Sequence, residues 1–247
     1  MAPASPAADS SPVCPDPVPS LPVVETFHSL QGEGVHAGRS AFFIRLAGCQ
    51  VGCSWCDTKH SWPLAAHPQR SLAELVVEAQ AAANAGAAFL VITGGEPLHH
   101  QLDPLCKALR QLSAPGGKAV PLHLETSGVD PLSGQFDWIT LSPKRHRPPR
   151  PELLAACHEL KLVVHCGDDL SFAAAMAAAA RRQRRADSQG RDQGSDQSVD
   201  QEPVRRPVLL LQPGADCAAG QQLAIDYVKA NPDWRLSLQS HKLLGLR

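Results

Sequence analysis

Short apolar runs alternate with amphipathic stretches along most of this chain. The runs predict strands at 41–46, 88–93, 120–125, 138–141, 160–165, 208–212 and 235–239. Helical patterns fall between them at 71–85, 101–112, 151–156, 170–182 and 218–230. The first helical pattern opens with Ser71-Leu72-Ala73-Glu74, the spacing of a capping box. Its Leu72, Leu75, Val76 and Ala79 share one helical face. Phe89-Leu90-Val91-Ile92 is apolar without a break, which suits a strand covered by helices. Alternation of this kind predicts an α/β fold of βαβ units with right-handed crossovers around a parallel sheet. About six units fit the pattern, which makes a shortened, partial barrel rather than an eightfold one. In such sheets ligands sit at the carboxyl ends of the strands.

Two segments break the alternation. Residues 1–20 are rich in Pro, Ala and Ser and predict a disordered tail, since such residues bury too little surface to offset ordering entropy. A second run, at about 181–205, is made of Gln, Asp, Ser and Arg and predicts a solvated insertion loop. The rest, 21–247, predicts one domain.

With 43% hydrophobic residues and a formal net charge of −1, the chain has material for an ordinary globular core. It lacks the broad basic field of a nucleic-acid binder. No apolar run reaches membrane-spanning length. The N-terminus has no basic region followed by an apolar one, so it does not read as a signal peptide. A cytoplasmic location follows as an expectation, with the eight cysteines reduced. Five of them, Cys14, Cys106, Cys157, Cys166 and Cys217, show no metal-ligand spacing and read as ordinary thiols.

The other three do show spacing. Cys49, Cys53 and Cys56 form C-x3-C-x2-C directly after the first strand. Three thiolates can hold three corners of a 4Fe–4S cube and leave the fourth iron open for chemistry, where four cysteines are usual. A zinc site of Cys49, Cys53, Cys56 and His60 is an alternative, as are three buried structural thiols. Thr93-Gly94-Gly95-Glu96-Pro97 follows the second strand. Its glycines let backbone approach a ligand closely, and Glu96 could accept from an ammonium group; the alternative is a simple turn.

Further segments make the chain recognisable. Glu25-Thr26-Phe27-His28-Ser29-Leu30-Gln31-Gly32-Glu33-Gly34, Phe43–Cys49 and Cys56-Asp57-Thr58 lead into Thr93–Leu98. Then come Glu125-Thr126-Ser127-Gly128, Ser142-Pro143-Lys144, Lys161-Leu162-Val163-Val164 and Ser237–Lys242. Together these closely resemble the 7-carboxy-7-deazaguanine synthase family of radical S-adenosylmethionine (SAM) enzymes, over about 22–247 apart from the polar insertion. The resemblance implies a shortened radical SAM barrel in a homodimer, with a 4Fe–4S cluster, SAM and Mg2+. It implies conversion of 6-carboxy-5,6,7,8-tetrahydropterin to 7-carboxy-7-deazaguanine. A 5′-deoxyadenosyl radical takes hydrogen from substrate C6, the ring contracts, ammonia leaves and SAM is regenerated. The pathway implied is that of queuosine and other deazapurines.

Residue roles follow from the same resemblance. Cys49, Cys53 and Cys56 bind the cluster. Gly94, Gly95 and Glu96 match the site for the SAM amino group, and Ser142, Pro143 and Lys144 match a further SAM contact. Gln212, Pro213, Gly214 and Ala215 match an adenosine contact. The Thr58 hydroxyl matches a Mg2+ ligand; its alternative is an N-cap. Leu30, Gln31, Gly32, Glu33, Arg45, Thr93, Glu125, His241 and Arg247 are the substrate candidates. A ring N–H beside an exocyclic amine is best met by a carboxylate, hence Glu33 and Glu125. Arg45 suits the substrate carboxylate. The apolar end, Leu243-Leu244-Gly245-Leu246, should fold back onto the site, with Gly245 at the bend. A flavodoxin or ferredoxin is the natural electron donor. Two other functions compete: an activase that installs a glycyl radical on a partner protein, and a zinc-binding module without catalysis.

Overall fold

The computed structural model of the protein describes residues 19–192 and 206–246. The tail up to residue 18, the 193–205 part of the expected insertion, and Arg247 lie outside the described residues. In chain order the strands are β1 (Ser20–Leu30), β2 (Ser40–Leu46), β3 (Gln69–Ser71), β4 (Leu90–Gly94), β5 (Ser113–Ala114) and β6 (Lys118–Ala119). Then come β7 (Leu122–Thr126), β8 (Trp138–Leu141), β9 (Glu159–Val164), β10 (Val208–Pro213) and β11 (Trp234–Leu236). The helices are α1 (Leu72–Asn84), α2 (Asp103–Leu109), α3 (Pro151–Ala156), α4 (Gly167–Asp192), α5 (Ala218–Ala230) and α6 (Ser240–Leu244).

Nine strands form one sheet in the order β11-β10-β9-β8-β7-β4-β2-β1-β3. Every pairing from β2 to β11 is parallel, as expected for an α/β chain. β1 and β3 add an antiparallel edge. That edge was not foreseen, because Glu25–Gly34 carries Glu, Thr, His and Ser and no apolar run. In the structure its alternate residues lie against β2, with Phe27 stacked on Phe43 at 4.9 Å.

Side chains two apart on a strand share a face, and here the two faces differ in kind. Phe42, Ile44 and Leu46 of β2, Leu90 and Ile92 of β4, and Leu122 and Leu124 of β7 pack against the helices in the main core. The other face carries Phe43 and Arg45, Thr93, Glu125, Thr140 and Lys161, all of which line one cleft. Register places Arg45 beside Thr93 and Glu125 beside Thr140. So the apolar runs hide a row of polar groups on the inner face.

Two boundaries move relative to the sequence reading. The tail stops short of residue 20, since Ser20 already pairs with Ser71. The polar run does not begin as a loop at residue 181, because α4 continues to Asp192. The Ala, Arg and Gln residues that open the run are good helix formers. Arg181 pairs with Asp233 at 2.9 Å, and Arg184 donates to the Cys157 carbonyl.

The expected capping box is present at α1. The Ser71 hydroxyl accepts from the Glu74 amide at 3.3 Å, and the Glu74 carboxylate accepts from the Ser71 amide at 2.8 Å. Ser71→Ala removes this reciprocal pair and should lower stability by about 1 kcal/mol. A shift of the urea unfolding midpoint to lower denaturant checks it; an unmoved midpoint means that the helix start is held elsewhere.

Candidate active site

The cysteine loop leaves the end of β2 and lies against the turn after β4. Gly95 N–H donates to the Leu46 carbonyl at 3.0 Å, and Glu96 N–H donates to the Gly48 carbonyl at 2.8 Å. A Cβ on Gly94 would stand 2.2 Å from the Leu46 carbonyl oxygen, and one on Gly95 2.4 Å from that of Gly48. The two glycines were expected to admit a ligand. They also admit the chain's own backbone, which seats the cysteine loop on the β4 turn, while both line the cleft.

Glu96 also differs from its expected use. Its carboxylate accepts from Thr126 Oγ1 and the Leu98 amide on one oxygen, and from the Ser127 amide and hydroxyl on the other. Those four bonds fill the acceptor sites of a carboxylate. The Glu96 side chain therefore ties β4 to β7, at the edge of the cleft that it also lines.

The cysteine loop is gripped from outside. His99 Nε2 accepts the Gln50 amide at 3.0 Å, with Asp130 on its other ring nitrogen. His146 Nε2 lies 3.0 Å from the Val51 carbonyl and 3.9 Å from Cys53 Sγ. Arg147 donates to the Gln50 carbonyl. Burial pushes the Cys49 and Cys53 thiols up, an effect that the nearby Lys144 ammonium opposes at Cys53. Among the described residues no three His, Cys, Asp or Glu side chains form a group that could hold a single metal ion. A cube asks for something else, one thiolate on each of three separate irons, and Cys49, Cys53 and Cys56 all open into the cleft.

The cleft encloses about 1440 Å³ of space, including the part open to solvent. It brings together Leu30, Gln31, Gly32, Glu33, Arg45, Thr58, Thr93, Gly94, Gly95, Glu96, Glu125, Ser142, Lys144, Gln212, Pro213, Ala215 and His241. Of the remaining candidates, Pro143 and Gly214 do not line it. Gly214 is turned toward His165, whose Nε2 a Cβ there would meet at 2.3 Å.

Glu125 accepts from Gln31 Nε2 and from Thr93 Oγ1, both at 2.9 Å. Glu33 accepts from Gln239 Nε2 at 2.8 Å and from the Lys161 ammonium. Burial alone would raise the Glu33 carboxyl, but Lys161 outweighs it and holds the group down to about 2. Burial would lower Lys161, and Glu33, Glu125 and Glu159 turn that into a rise. The Glu33–Lys161 pair thus stays ionised through the neutral range. Burial raises the Glu159 carboxyl, which accepts the Val35 amide at 3.0 Å and so holds the loop behind Glu33. Arg45 puts its Nε on Glu25 at 3.0 Å, so only part of its fork is left for a substrate.

Thr58 does not cap the short helix that follows it; its Oγ1 faces Cys56 Sγ at 3.5 Å. The C-terminal segment folds back, but through polar ties. Ser240 donates to the Gly32 carbonyl, and Lys242 pairs with Asp57 at 2.5 Å. The leucines expected to drive the fold-back face outward, with Leu243 78% and Leu244 65% exposed. Gly245 does take the left-handed conformation, φ 64°, at the end of α6. Sequence reasoning assigned no role to Lys161 and Gln239. The signal for Lys161 was a lone cation in the otherwise apolar Leu160–Val164 part of a strand.

Residues 43–157 match the Radical SAM superfamily. The 7-carboxy-7-deazaguanine synthase of Prochlorococcus marinus is 52% identical, over 92% of this chain and 98% of that protein. That of Synechocystis is 44% identical, over 92% and 94%. The chain belongs to the 7-carboxy-7-deazaguanine synthase family. The crystal structure of QueE from Escherichia coli is also similar, with 30% identity, a TM-score of 0.64, and 90% and 95% of the two chains covered. Membership of this radical SAM family implies a 4Fe–4S cluster and SAM. The donor set fits both: three cleft-facing thiols, and beside them the open backbone of the β4 turn with Ser142, Lys144 and Gln212.

Replacing Cys49, Cys53 or Cys56 by Ala should remove the cluster's iron and visible absorbance after anaerobic reconstitution. Full iron content in any one variant means that this thiol is not a ligand. Gly95→Ala should lower iron content as well, because a methyl group there collides with the Gly48 carbonyl. Normal iron content in Gly95→Ala would show that the two loops can separate without cost to the site.

Proposed function

We propose that the chain performs the ring contraction of its family. In this reading 6-carboxy-5,6,7,8-tetrahydropterin becomes 7-carboxy-7-deazaguanine, with loss of ammonia, on the way to queuosine or another deazapurine. One observation carries the reading. The three cleft-facing thiols open into the same cleft as two ionisable carboxylates, Glu33 and Glu125, each fixed by neighbours and each at a strand end or loop. A glycyl-radical activase needs an open face for a protein loop; here the groups opposite the thiols are fixed acids. The scaffold we assign is the shortened radical SAM barrel, a reading supported by the parallel run from β2 to β11.

When bound, the cluster and SAM supply the hydrogen abstraction that opens the reaction at C6. The chain's own residues do the rest. Glu33 and Glu125 accept the N–H edge of the pterin. The free part of the Arg45 fork meets its carboxylate, and Gln31 and Thr93 hold Glu125 still. His241, packed against Gly32, closes the pocket from the C-terminal side; a Cβ on Gly32 would lie 2.1 Å from its Nδ1. Ser142 and Lys144, joined at 2.8 Å, and Gln212, Pro213 and Ala215 border the space for SAM.

Mg2+ is part of the proposal. The Thr58 hydroxyl, free of capping duty beside Cys56, supplies one oxygen, and the substrate carboxylate and water supply others. Its role is to orient that carboxylate and stabilise charge during rearrangement. We further assign a flavodoxin or ferredoxin as electron donor, and a homodimer in keeping with the outward Leu238, Leu243 and Leu244. Among the described residues no helix is long and apolar enough to cross a membrane; the cytoplasm is the assigned compartment.

Anaerobic incubation with 6-carboxytetrahydropterin, SAM, Mg2+ and a reductant tests the reading. The expected products are 7-carboxy-7-deazaguanine and ammonia, with SAM not consumed in step. No product from protein with a full cluster overturns it. Thr58→Ala should slow turnover or alter the Mg2+ response while cluster iron is unchanged. An unchanged rate with an unchanged Mg2+ response removes Thr58 from the metal site.

A further inference from the structure

We propose that Lys161 is a positioning residue for substrate recognition: its ammonium fixes Glu33 as a charged acceptor aimed into the cleft. The proposal rests on the functional reading above and adds a residue that neither the motifs nor the relatives' names assign.

Geometry carries it. Lys161 sits on β9 with its neighbours Leu160 and Leu162 in the core on the opposite face, and it is only 5% exposed. Its Nζ meets Glu33 Oε2, while Gln239 Nε2 meets Oε1 at 2.8 Å. A carboxylate has about four acceptor sites, so one site on each oxygen stays open. Two open sites side by side match a ring N–H beside an exocyclic amine. A protonated carboxyl would turn one of them into a donor, set against a substrate donor.

The surroundings would favour that proton if Lys161 were absent. The groups around Glu33 are Lys161 and Glu159 from β9, Lys144 from the loop after β8, and Gln239 and His241 from the C-terminal segment. Glu125, from β7, lies within the influence of the same ammonium. Buried carboxylates that share a site cannot all stay charged without a cation. A second ammonium, the half-buried Lys144, is bonded to Ser142 and faces Cys53, so it serves the cluster side. Lys161 is the cation in contact with Glu33.

Lys161→Met and Lys161→Arg test this in the cluster-loaded enzyme, with folding followed by circular dichroism and iron content. Lys161→Met should raise KM for the pterin by about tenfold or more, with a much smaller change in kcat. Its kcat/KM should also gain an acid limb: Glu33, ionised down to about 2 in the native enzyme, would then take up a proton as pH falls from neutrality. Lys161→Arg should restore both KM and the pH profile. The Lys161→Met/Glu33→Gln double variant should match Glu33→Gln alone in KM, because Lys161 acts through Glu33. That double variant removes the buried ammonium together with the carboxylate it contacts, so the comparison decides the matter even if Lys161→Met alone does not fold. A native KM and pH profile in Lys161→Met, an arginine variant as impaired as the methionine one, or a double variant clearly worse than Glu33→Gln overturns the proposal. Failure of the functional reading is separate, since it is seen as absent turnover in the native enzyme.

Discussion

Two backbone hydrogen bonds, Gly95 to Leu46 and Glu96 to Gly48, join the end of β2 to the end of β4. They form only because Gly94 and Gly95 have no Cβ, which would stand within 2.4 Å of the Leu46 or Gly48 carbonyl oxygen. The cysteine loop starts at this seam, so the position of all three thiols depends on it. The Glu96 carboxylate extends the seam to β7 through Thr126 and Ser127. Three adjacent strand ends are thereby locked together by the chain's own hydrogen bonds. A redox centre gains from such a frame, since ligands already in place need little reorganisation when the cofactors enter.

From the seam inward, the cleft is arranged by charge. On the cluster side, Lys144 is the cation facing a thiol. On the substrate side, Lys161 balances Glu33, Glu125 and Glu159. Buried charges are tolerated where they are paired and hydrogen-bonded; Lys161 meets that condition on Glu33, and Lys144 donates to the Ser142 hydroxyl. Each carboxylate also keeps a neutral partner, Gln31 and Thr93 for Glu125 and Gln239 for Glu33. The fixed acids are thus held as acceptors, which is what the proposed substrate, with its N–H edge, would require.

The C-terminal segment completes the site by polar means. Ser240 and Gln239 bind the Gly32–Glu33 loop, and Lys242 reaches Asp57 next to the last cysteine. One short segment therefore touches both the substrate side and the cluster side. Leucines in the same segment are left facing outward, which separates the force that folds it back from the surface it presents.

The sequence by itself determined the alternation of strands and helices, the capping box at Ser71, and the gathering of motifs at strand ends. Each of these is written in local periodicity or in spacing between neighbours, and local rules read both. The C-x3-C-x2-C run and the motifs around it were equally legible, because their meaning lies in short-range order. What only the tertiary structure decided depends on residues far apart in the chain. That the Glu96 carboxylate meets Thr126 and Ser127, and that Gly95 lies against Gly48, follows from which strand lies next to which. Likewise a lone Lys161 acquires a role only when β9 brings it to Glu33, 128 positions away. The polar β1 edge and the helical start of the polar run were misread for the same reason. Their partners, β2 and β3 for one and Asp233 and the Cys157 carbonyl for the other, supply hydrogen bonds that local patterning does not encode.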